Sequence, residues 1–273
     1  MIANANKADQ MTTDVIKEAT IPKTIHYCWF GGNPLGPDEM ACIESWKKYL
    51  PGYEIKLWNE NNWDVDCCDY VREAYSAKKW AFVSDYARLD IINRYGGIYF
   101  DTDVEVVNAI DDILEHGPFL GMETMGLDGG LGTVNPGLGF ASCPNDPLLD
   151  EVLAEYAGEH FIKSDGSYNE KTIVDRTTEI VNRYARIFPD GFWHANGFTV
   201  YPAEYFNPKD YLTGSIVLTD NTRCIHHFSM SWFTPRRKYK HTVYLSLLSK
   251  GVPGRIANYI AVFFATVKFK SFH

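Results

Sequence analysis

Hydrophobic positions near the start of the chain alternate between strand-like and helix-like patterns. Thr24–Phe30 is a β-rich run and predicts a first strand. Apolar residues then recur with helical spacing over Asp38–Leu50, which ends before a Pro-Gly pair. Glu54–Trp58 predicts a second strand. Strand, helix and strand in this order predict a parallel sheet and an α/β fold.

The next fifty residues predict two helices and two short strands. The helices are expected at Cys68–Ala77 and Trp80–Arg94, and the second is followed by Gly96-Gly97, a pair that commonly ends a helix. The strands are expected at Ile98–Phe100 and Val104–Val107, on either side of Asp101-Thr102-Asp103. The double glycine leaves room for another backbone or a ligand to approach.

The second half of the chain contains shorter elements. Helices are predicted at Pro147–Tyr156 and Glu170–Tyr184. Phe119–Met122 is a short apolar run, and strands are predicted at Phe198–Tyr201, Ile216–Leu218 and Arg223–Ile225. Because there is no internal repeat or low-complexity linker, the interpretation is a loose segment at 1–20, one domain at 21–235 and a basic C-terminal tail at 236–273.

Charge is unevenly distributed along the 273 residues. The formal net charge is −9, yet residues 221–273 hold nine Lys or Arg and no Asp or Glu, so all 35 acidic residues precede them. An acidic body argues against general nucleic-acid binding. The basic tail, which also contains an apolar run near Ile256–Val267, predicts peripheral contact with an anionic membrane. The alternative is a C-terminal helix docked on the body with its lysines in solvent.

Cysteine usage and the N-terminal residues indicate a cytoplasmic protein. The six cysteines include no C-x-x-C pair, which favours free thiols in a reducing compartment. The first ten residues have no apolar core, so no signal peptide is expected. The apolar run in the tail is shorter than the roughly 20 residues that a membrane span needs.

Asp101 and Asp103 are the strongest candidates for metal ligands. If they lie on a strand, residues two apart point to the same face, and two carboxylates then converge at one spot. A hard cation such as Mn²⁺ or Mg²⁺ relieves their repulsion. Asp64-Val65-Asp66 has the same spacing but lies in a polar stretch without a preceding strand, and we interpret it as a solvated loop.

Two further residue pairs are candidates with open alternatives. Asp85 and Arg88 are three apart and share a helical face, where they could contact sugar and phosphate or form an ordinary surface ion pair. His226-His227 follows a predicted strand and could supply a metal ligand or a packed pair.

Three segments strengthen the candidates because they resemble glycosyltransferase family 32. They are IPKTIHYCWFGG at 21–32, AFVSDYARLDIINRYGGIYFDTD at 81–103 and HHFSMSW at 226–232. The family includes bacterial capsule and polysaccharide enzymes, and its core resembles that of the large glucosylating toxins. The resemblance implies a GT-A type fold, with a Rossmann-like mixed, mainly parallel sheet, a nucleotide-sugar donor, Mn²⁺ (or Mg²⁺) and retention of anomeric configuration.

The resemblance also implies roles for individual residues. Trp29 resembles the residue that stacks on the donor base, and Asn135 resembles a donor-sugar contact. Asp103, Asp101 and His227 correspond to the metal site. The remaining nucleotide-sugar contacts implied in this way are Ser84, Asp85, Arg88, Tyr99 and Trp232, with Asp85, Arg88, Asp101 and Asp103 as the catalytic set.

The sequence therefore predicts a metal-dependent retaining glycosyltransferase. It would move a hexose from a UDP- or GDP-hexose donor to a glycan or lipid-linked saccharide acceptor in polysaccharide biosynthesis. A metal-dependent hydrolase, such as a phosphatase or nuclease, could use the same aspartates but usually shows additional clustered ligands. A non-catalytic sugar-binding module could use the aromatic residues, but it would not need Asp85, Arg88 and Asp103.

Overall fold

The computed structural model describes residues 20–126, 130–210, 213–229 and 233–270, apart from the side chain of Lys270. The strands are β1 Thr24–Cys28, β2 Glu54–Trp58, β3 Gly97–Tyr99, β4 Val104–Val106, β5 Phe119–Thr124, β6 Thr133–Val134, β7 Phe140–Ser142, β8 Arg186–Ile187, β9 Trp193–Ala195, β10 Phe198–Tyr201 and β11 Cys224–His226. The helices are α1 Pro37–Tyr49, α2 Asp69–Ser76, α3 Trp80–Tyr95, α4 Asp111–Leu114, α5 Pro147–Ala154, α6 Ile173–Tyr184, α7 Ala203–Phe206, α8 Pro235–Leu248 and α9 Gly254–Lys270.

The central sheet is mixed. Within the described residues its strand order is β2-β1-β3-β7-β5-β10-β9-β8, with β6 paired to β5. β1 is parallel to both β2 and β3, and β10 is parallel to β5. β7 and β9 run antiparallel to their neighbours, so most strands share one direction. The expected α/β class, with a mixed, mainly parallel sheet flanked by helices, is confirmed.

Two hydrophobic clusters cover the two faces of this sheet. One cluster contains Tyr99 and Phe140 together with residues of α2, α3, α5 and α6. The other contains Ile98 and Phe100 together with residues of α1, β4 and α7. Adjacent residues of β3 therefore face opposite clusters, as the pleat of a strand requires. The result is a three-layer arrangement with helices on both sides.

Local sequence explains where the later helices begin. Asp146 caps α5 by accepting hydrogen bonds from the backbone N–H groups of Leu148 and Leu149. Thr172 and Asp175 form a reciprocal capping box at the start of α6. The helix predicted from Glu170 therefore begins three residues later, at Ile173.

Glycine conformation ends α3 and allows β3 to pair closely with β1. Gly96 closes the helix with φ of 65°. A Cβ on Gly97 would lie 2.6 Å from the carbonyl oxygen of Thr24. The close approach predicted for the double glycine is therefore that of a neighbouring backbone.

Several expectations for short elements differ from the structure. Ile216–Leu218 is not a strand: Ile216 forms only an isolated bridge with Lys209, and the segment is exposed. β7 and β9 were not predicted, because three-residue strands carry too few positions for alternation to be recognised. The expected loose segment falls almost entirely on residues 1–19, which lie outside the described residues.

The basic tail contains the antiparallel helices α8 and α9. α8 begins at the Thr234 cap, whose side chain accepts a hydrogen bond from the N–H of Arg237. Across the part of the chain that the structure describes, no helix combines the length and apolar character needed to cross a membrane.

Candidate active site

A cavity of about 750 Å³ lies where several chain segments meet. Its walls come from the loop after β1, the first turns of α3, the turn after β3, the end of β5, the start of α6 and the chain after β11. Six of the sequence-predicted site residues line it: Trp29, Ser84, Arg88, Asp101, Asp103 and Asn135. Segments far apart in sequence thus converge on one concave surface, which is the usual setting of a ligand site.

The two aspartates converge, but not for the reason that the spacing suggested. Asp101, Thr102 and Asp103 form a turn between β3 and β4, in which the N–H of Val104 donates to the carbonyl oxygen of Asp101 at 3.0 Å. The expectation that they lie on a strand was wrong. The turn itself brings both carboxylates to the cavity.

α1 anchors this turn from the opposite side of the sheet. The indole N–H of Trp46 donates to the carbonyl oxygen of Val104 at 2.7 Å, and the Ser45 hydroxyl accepts from the N–H of Val106 at 2.9 Å. Trp46 is fully buried. A buried indole needs a partner for its N–H, so packing of α1 also fixes the backbone that carries Asp103.

A two-stranded ladder brings a histidine to the aspartates. β11 pairs antiparallel with β4, which places His226 opposite Val104. His226 Nε2 lies 3.1 Å from Asp103 Oδ1, and the Ser229 N–H donates to Asp103 Oδ2 at 2.8 Å. Among the described residues, Asp101, Asp103 and His226 form a group whose ligand atoms all lie within 4.8 Å of one another.

The histidine at this position is His226, whereas the family resemblance implied His227. His226 is the last residue of β11 and its ring faces Asp103, whereas His227 lies just beyond the strand. The ring of His227 instead lies 2.9 Å from Glu105 Oε2. Its backbone N–H still donates to the carbonyl oxygen of Asp103 at 2.9 Å, so His227 supports the turn through its main chain.

Burial and neighbouring charges shift the protonation of these groups. Burial raises the pKa of Asp101, although Arg88 opposes this effect. Against the effect of burial, His226 and the Ser229 N–H hold the pKa of Asp103 well below its usual range. Asp103 is thus the more readily ionised of the two carboxylates.

Arg88 lies between two carboxylates at the base of the cavity. Its guanidinium is 2.9 Å from Asp85 Oδ1 and 3.1 Å from Asp101 Oδ1, and its Nε donates to the Ser84 carbonyl at 3.2 Å. The Arg88 side chain is only 5% exposed, so the surface ion pair considered from sequence is excluded. Burial raises the pKa of Asp85 to about 6, against the effect of Arg88.

Tyr99 lies beneath this cluster. Its hydroxyl donates to Asp101 Oδ1 at 3.0 Å, and the Arg88 guanidinium is 5.0 Å from the centre of its ring. Tyr99 is 1% exposed and, like Asp85, is absent from the cavity wall. Its contacts orient Asp101 and Arg88 from below.

Asn135 and Glu123 form a polar pair in the cavity wall. The Asn135 amide donates to Glu123 Oε2 at 2.6 Å, while its Oδ1 accepts from the Gly137 N–H at 2.7 Å. The amide is therefore held at both ends. Trp29 is fixed by a bond of 2.6 Å from its indole N–H to the Asn33 carbonyl.

Sequence reasoning missed Glu123 and Thr172, which also line the cavity. Glu123 follows an apolar strand run and could have been recognised as a polar residue at a strand end, where α/β proteins commonly bind ligands. Thr172 could have been found through the capping-box spacing to Asp175. Trp232 lies outside the described residues.

The group of Asp101, Asp103 and His226 fits a divalent metal. Carboxylate oxygens with one imidazole suit Mn²⁺, and oxygen-rich sites also suit Mg²⁺. His226 Nδ1 is buried without a hydrogen-bond partner, so this ring nitrogen is still available to a ligand. The turn of Asp64 and Asp66, in contrast, is exposed, which confirms its interpretation as a solvated loop.

Comparison with known proteins agrees with this geometry. Residues 36–120 match the family model described as "Glycosyltransferase sugar-binding region containing DXD motif". This segment resembles a DXD glycosyltransferase. It contains Asp85, Arg88, Asp101 and Asp103, whereas Trp29, Asn135 and His226 lie outside it.

A relative and three solved structures are also similar. The relative is "Subversion of eukaryotic traffic protein A" of Legionella pneumophila, to which the sequence is 26% identical over an alignment of 115 residues. The match covers 32% of this chain and 18% of that protein's length. The PaToxG glycosyltransferase structure has a TM-score of 0.43 at 17% identity, covering 60% of this chain and 69% of its own. The glycosyltransferase GlyE of Streptococcus pneumoniae TIGR4 has a TM-score of 0.41 at 14% identity, covering 85% and 64%. The galactosyltransferase LgtC has a TM-score of 0.39 at 14% identity, covering 79% and 89%.

Proposed function

We propose that this protein is a metal-dependent glycosyltransferase with a GT-A type fold. It moves a hexose from a nucleoside-diphosphate sugar, UDP- or GDP-linked, to a glycan or lipid-linked saccharide. The observation that carries the proposal is the convergence of Asp101, Asp103 and His226 with Arg88 on one cavity wall. The family match over the segment that supplies three of these four residues supports the same activity.

Each part of the cavity has chemistry suited to one part of such a donor. Trp29 offers an aromatic face to the base. Glu123 and Asn135 offer a carboxylate and an amide to sugar hydroxyls. Arg88 supplies a fixed positive charge near the diphosphate, where negative charge increases as the glycosidic bond breaks.

A divalent cation, Mn²⁺ in our proposal, would be held by Asp101, Asp103 and His226. When bound, it would neutralise charge on the departing diphosphate. The chain's own residues prepare this site: Tyr99 and Arg88 orient Asp101, while the Ser229 N–H orients Asp103. We carry retention of anomeric configuration over from the family resemblance, with the acceptor hydroxyl entering from the face that the diphosphate leaves.

The biological setting is part of the proposal. A role in polysaccharide or capsule synthesis follows from the family resemblance. All six cysteines are free in the structure, which supports a reducing, cytoplasmic location.

A hydrolase with the same aspartates is less well supported. Two-metal phosphatases and nucleases need further ligands that hold a second metal about 4 Å from the first. Among the described residues, acidic, histidine and cysteine side chains form one cluster of three or more with metal-ligand spacing, that of Asp101, Asp103 and His226.

Thermal denaturation with a set of nucleotide sugars, with and without Mn²⁺, tests the donor class. A ligand at one hundred times its Kd stabilises the folded state by about 2.7 kcal/mol. We expect a UDP- or GDP-hexose to raise the Tm only when Mn²⁺ is present. Donor turnover that is independent of any saccharide acceptor would instead favour a hydrolase.

The choice of histidine is tested by titrating Mn²⁺ into two matched variants. His226→Ala should weaken Mn²⁺ binding by at least tenfold, because it removes a ligand. His227→Ala, one residue away, should leave the Mn²⁺ affinity within about twofold, since its ring contacts Glu105. Equal losses in both variants would argue against His226 as the ligand.

A further inference from the structure

Helix α9 has one face that packs against α8. Ala257, Ala261 and Ala265 are buried and recur every four residues, so they form a single stripe. Small side chains let the two helices approach closely. At the far end of the pair, Arg236 of α8 donates to the Thr266 hydroxyl of α9 at 3.1 Å.

The opposite face of α9 is apolar and exposed. Ile256, Tyr259, Phe263 and Val267 are 54%, 84%, 63% and 55% exposed. Their spacing of three, four and four residues places them on one stripe of the helix. Scattered exposed apolar residues are ordinary, but a continuous row of large side chains on one helix marks an interaction surface. We call this row the apolar stripe.

Positive charge lies beside the stripe and at both of its ends. Arg255 borders the same surface as Ile256 and Tyr259. Arg236 reaches Thr266 near the other end, and the Lys268 ammonium lies 4.0 Å from the centre of the Tyr239 ring. Residues 221–273 contain nine Lys or Arg and no Asp or Glu, so this region carries a net positive charge.

We propose that the apolar stripe of α9 docks onto the surface of an anionic lipid bilayer. The stripe enters the boundary between headgroups and acyl chains, and the flanking cations meet lipid phosphates. Aromatic side chains such as Tyr259 suit this boundary because they combine an apolar ring with a polar hydroxyl. The helix lies in the plane of the surface and does not cross it, in agreement with the finding on spanning helices.

Charge distinguishes the bilayer from a second copy of this chain. A twofold dimer through the stripe would bring the same basic flanks of two copies together, and like charges would oppose association. An anionic surface complements the stripe and its flanks at once. This charge complementarity is the reason for choosing lipid as the occupant.

Docking would also hold the cavity close to the bilayer. Thr234 caps α8 and lines the cavity, so the helix pair begins at the cavity wall. An acceptor carried by a lipid would therefore be within reach. This consequence rests on the proposed glycosyltransferase function, whereas the docking itself does not.

Co-sedimentation of the full chain with vesicles tests the proposal. Vesicles that contain three parts phosphatidylcholine and one part phosphatidylglycerol should bind the protein. Vesicles of pure phosphatidylcholine should bind it at least tenfold less. Raising NaCl from 0.1 to 0.5 M should weaken binding, because the Debye length falls below its value of about 10 Å at 0.1 M. Equal binding to both vesicles, or binding that ignores salt, would overturn the proposal.

Matched variants separate the stripe from the charges. Tyr259→Ser with Phe263→Ser should reduce vesicle binding at least tenfold, while Ile187→Ser, a site that is 62% exposed on β8, should leave it unchanged. Arg236→Glu with Arg255→Glu, which reverses two of the flanking charges, should reduce binding to anionic vesicles even if the serine variants fold poorly. Unchanged binding in both double variants would refute the proposal. Sedimentation velocity that shows a dimer abolished by the serine variants would assign the stripe to a second copy and also refute it.

Discussion

Arg88 contacts Asp101 through both of its terminal nitrogens, at 3.1 Å to Oδ1 and 3.3 Å to Oδ2. The same guanidinium lies 2.9 Å from Asp85, so one planar cation joins two carboxylates below the cavity. Only a rigid fork of several N–H donors can make these contacts together. The side chain of Asp101 is therefore oriented before any ligand enters.

Arg88→Lys should reduce kcat/KM by roughly 100-fold, even though the charge is kept. A lysine ammonium is a point charge and cannot join Asp85 and Asp101 in the same way. Steady-state kinetics with the donor identified by thermal shift would measure the effect. Arg94→Lys, on the same helix at a side chain that is 57% exposed, is the matched control and should be nearly silent. Similar losses in both variants would contradict the role given to Arg88.

Gly137→Ala should damage the same ion pair from the other side. A Cβ at residue 137 would lie 2.3 Å from Asp101 Oδ2 and 2.9 Å from an Arg88 nitrogen. We expect at least a tenfold loss of turnover with a lowered Tm. Gly52→Ala, where a Cβ meets nothing within 4 Å, should change neither quantity. An active and fully stable Gly137→Ala protein would show that the Arg88–Asp101 geometry is not required.

Asp103→Asn should abolish transfer by removing a metal-ligating charge. It also weakens the contact with His226, which lies 3.1 Å away, so the Tm should fall modestly. Turnover, Mn²⁺ affinity and Tm should be measured together. Asp64→Asn, in the second D-x-D sequence, is the control and should behave as the original protein. Near-normal turnover of Asp103→Asn at saturating Mn²⁺ would exclude Asp103 as a ligand.

Trp29→Ala should raise the KM for the donor by about tenfold or more while changing kcat little. Stacking on a base is worth roughly 1–3 kcal/mol and is the same in the ground and transition states, so its loss weakens binding alone. Initial rates across a range of donor concentrations separate the two constants. An unchanged KM with a collapsed kcat would rule out a stacking role.

His26 should make the folded state less stable as the pH falls below neutrality. It is 2% exposed, accepts from the Trp58 indole at Nδ1 and has Nε2 3.0 Å from the Gly96 carbonyl, so the bonded ring is neutral. Burial lowers its pKa from 6.5 to about 4. Between these values the unfolded chain binds the proton more readily, so stability falls as pH falls from 6.5 to 4.

Urea denaturation at pH 7.5 and pH 5 measures this effect. The His26 contribution to the loss at pH 5 should be roughly 2 kcal/mol, at 1.36 kcal/mol per pKa unit. His26→Gln should remove that part of the pH dependence. His116→Gln, at an exposed histidine, should retain it. Identical pH dependence in His26→Gln and the original protein would contradict the assignment.

The principal helices and the larger strands could be predicted from the sequence. β2 and β10 have the predicted bounds, and α3 ends at Tyr95, directly before the double glycine that indicated its end. These elements are recognisable because each contains a hydrophobic period together with its own end signal. The resemblance of short segments likewise identified Asp85, Arg88, Asp101 and Asp103, which the structure brings into one cluster around the Arg88 ion pairs and the Asp101–Asp103 turn.

Tertiary structure decided which side chains complete the site. The letters HH at 226–227 do not say which ring faces Asp103, because the β4–β11 register sets that choice. Glu123 meets Asn135 through the pairing of β5 with β6, and Asp101 faces Arg88 because the chain turns after β3. Local periodicity determines elements over a few residues. Pairing across more than a hundred residues depends on packing of the whole sheet, and no local pattern encodes it.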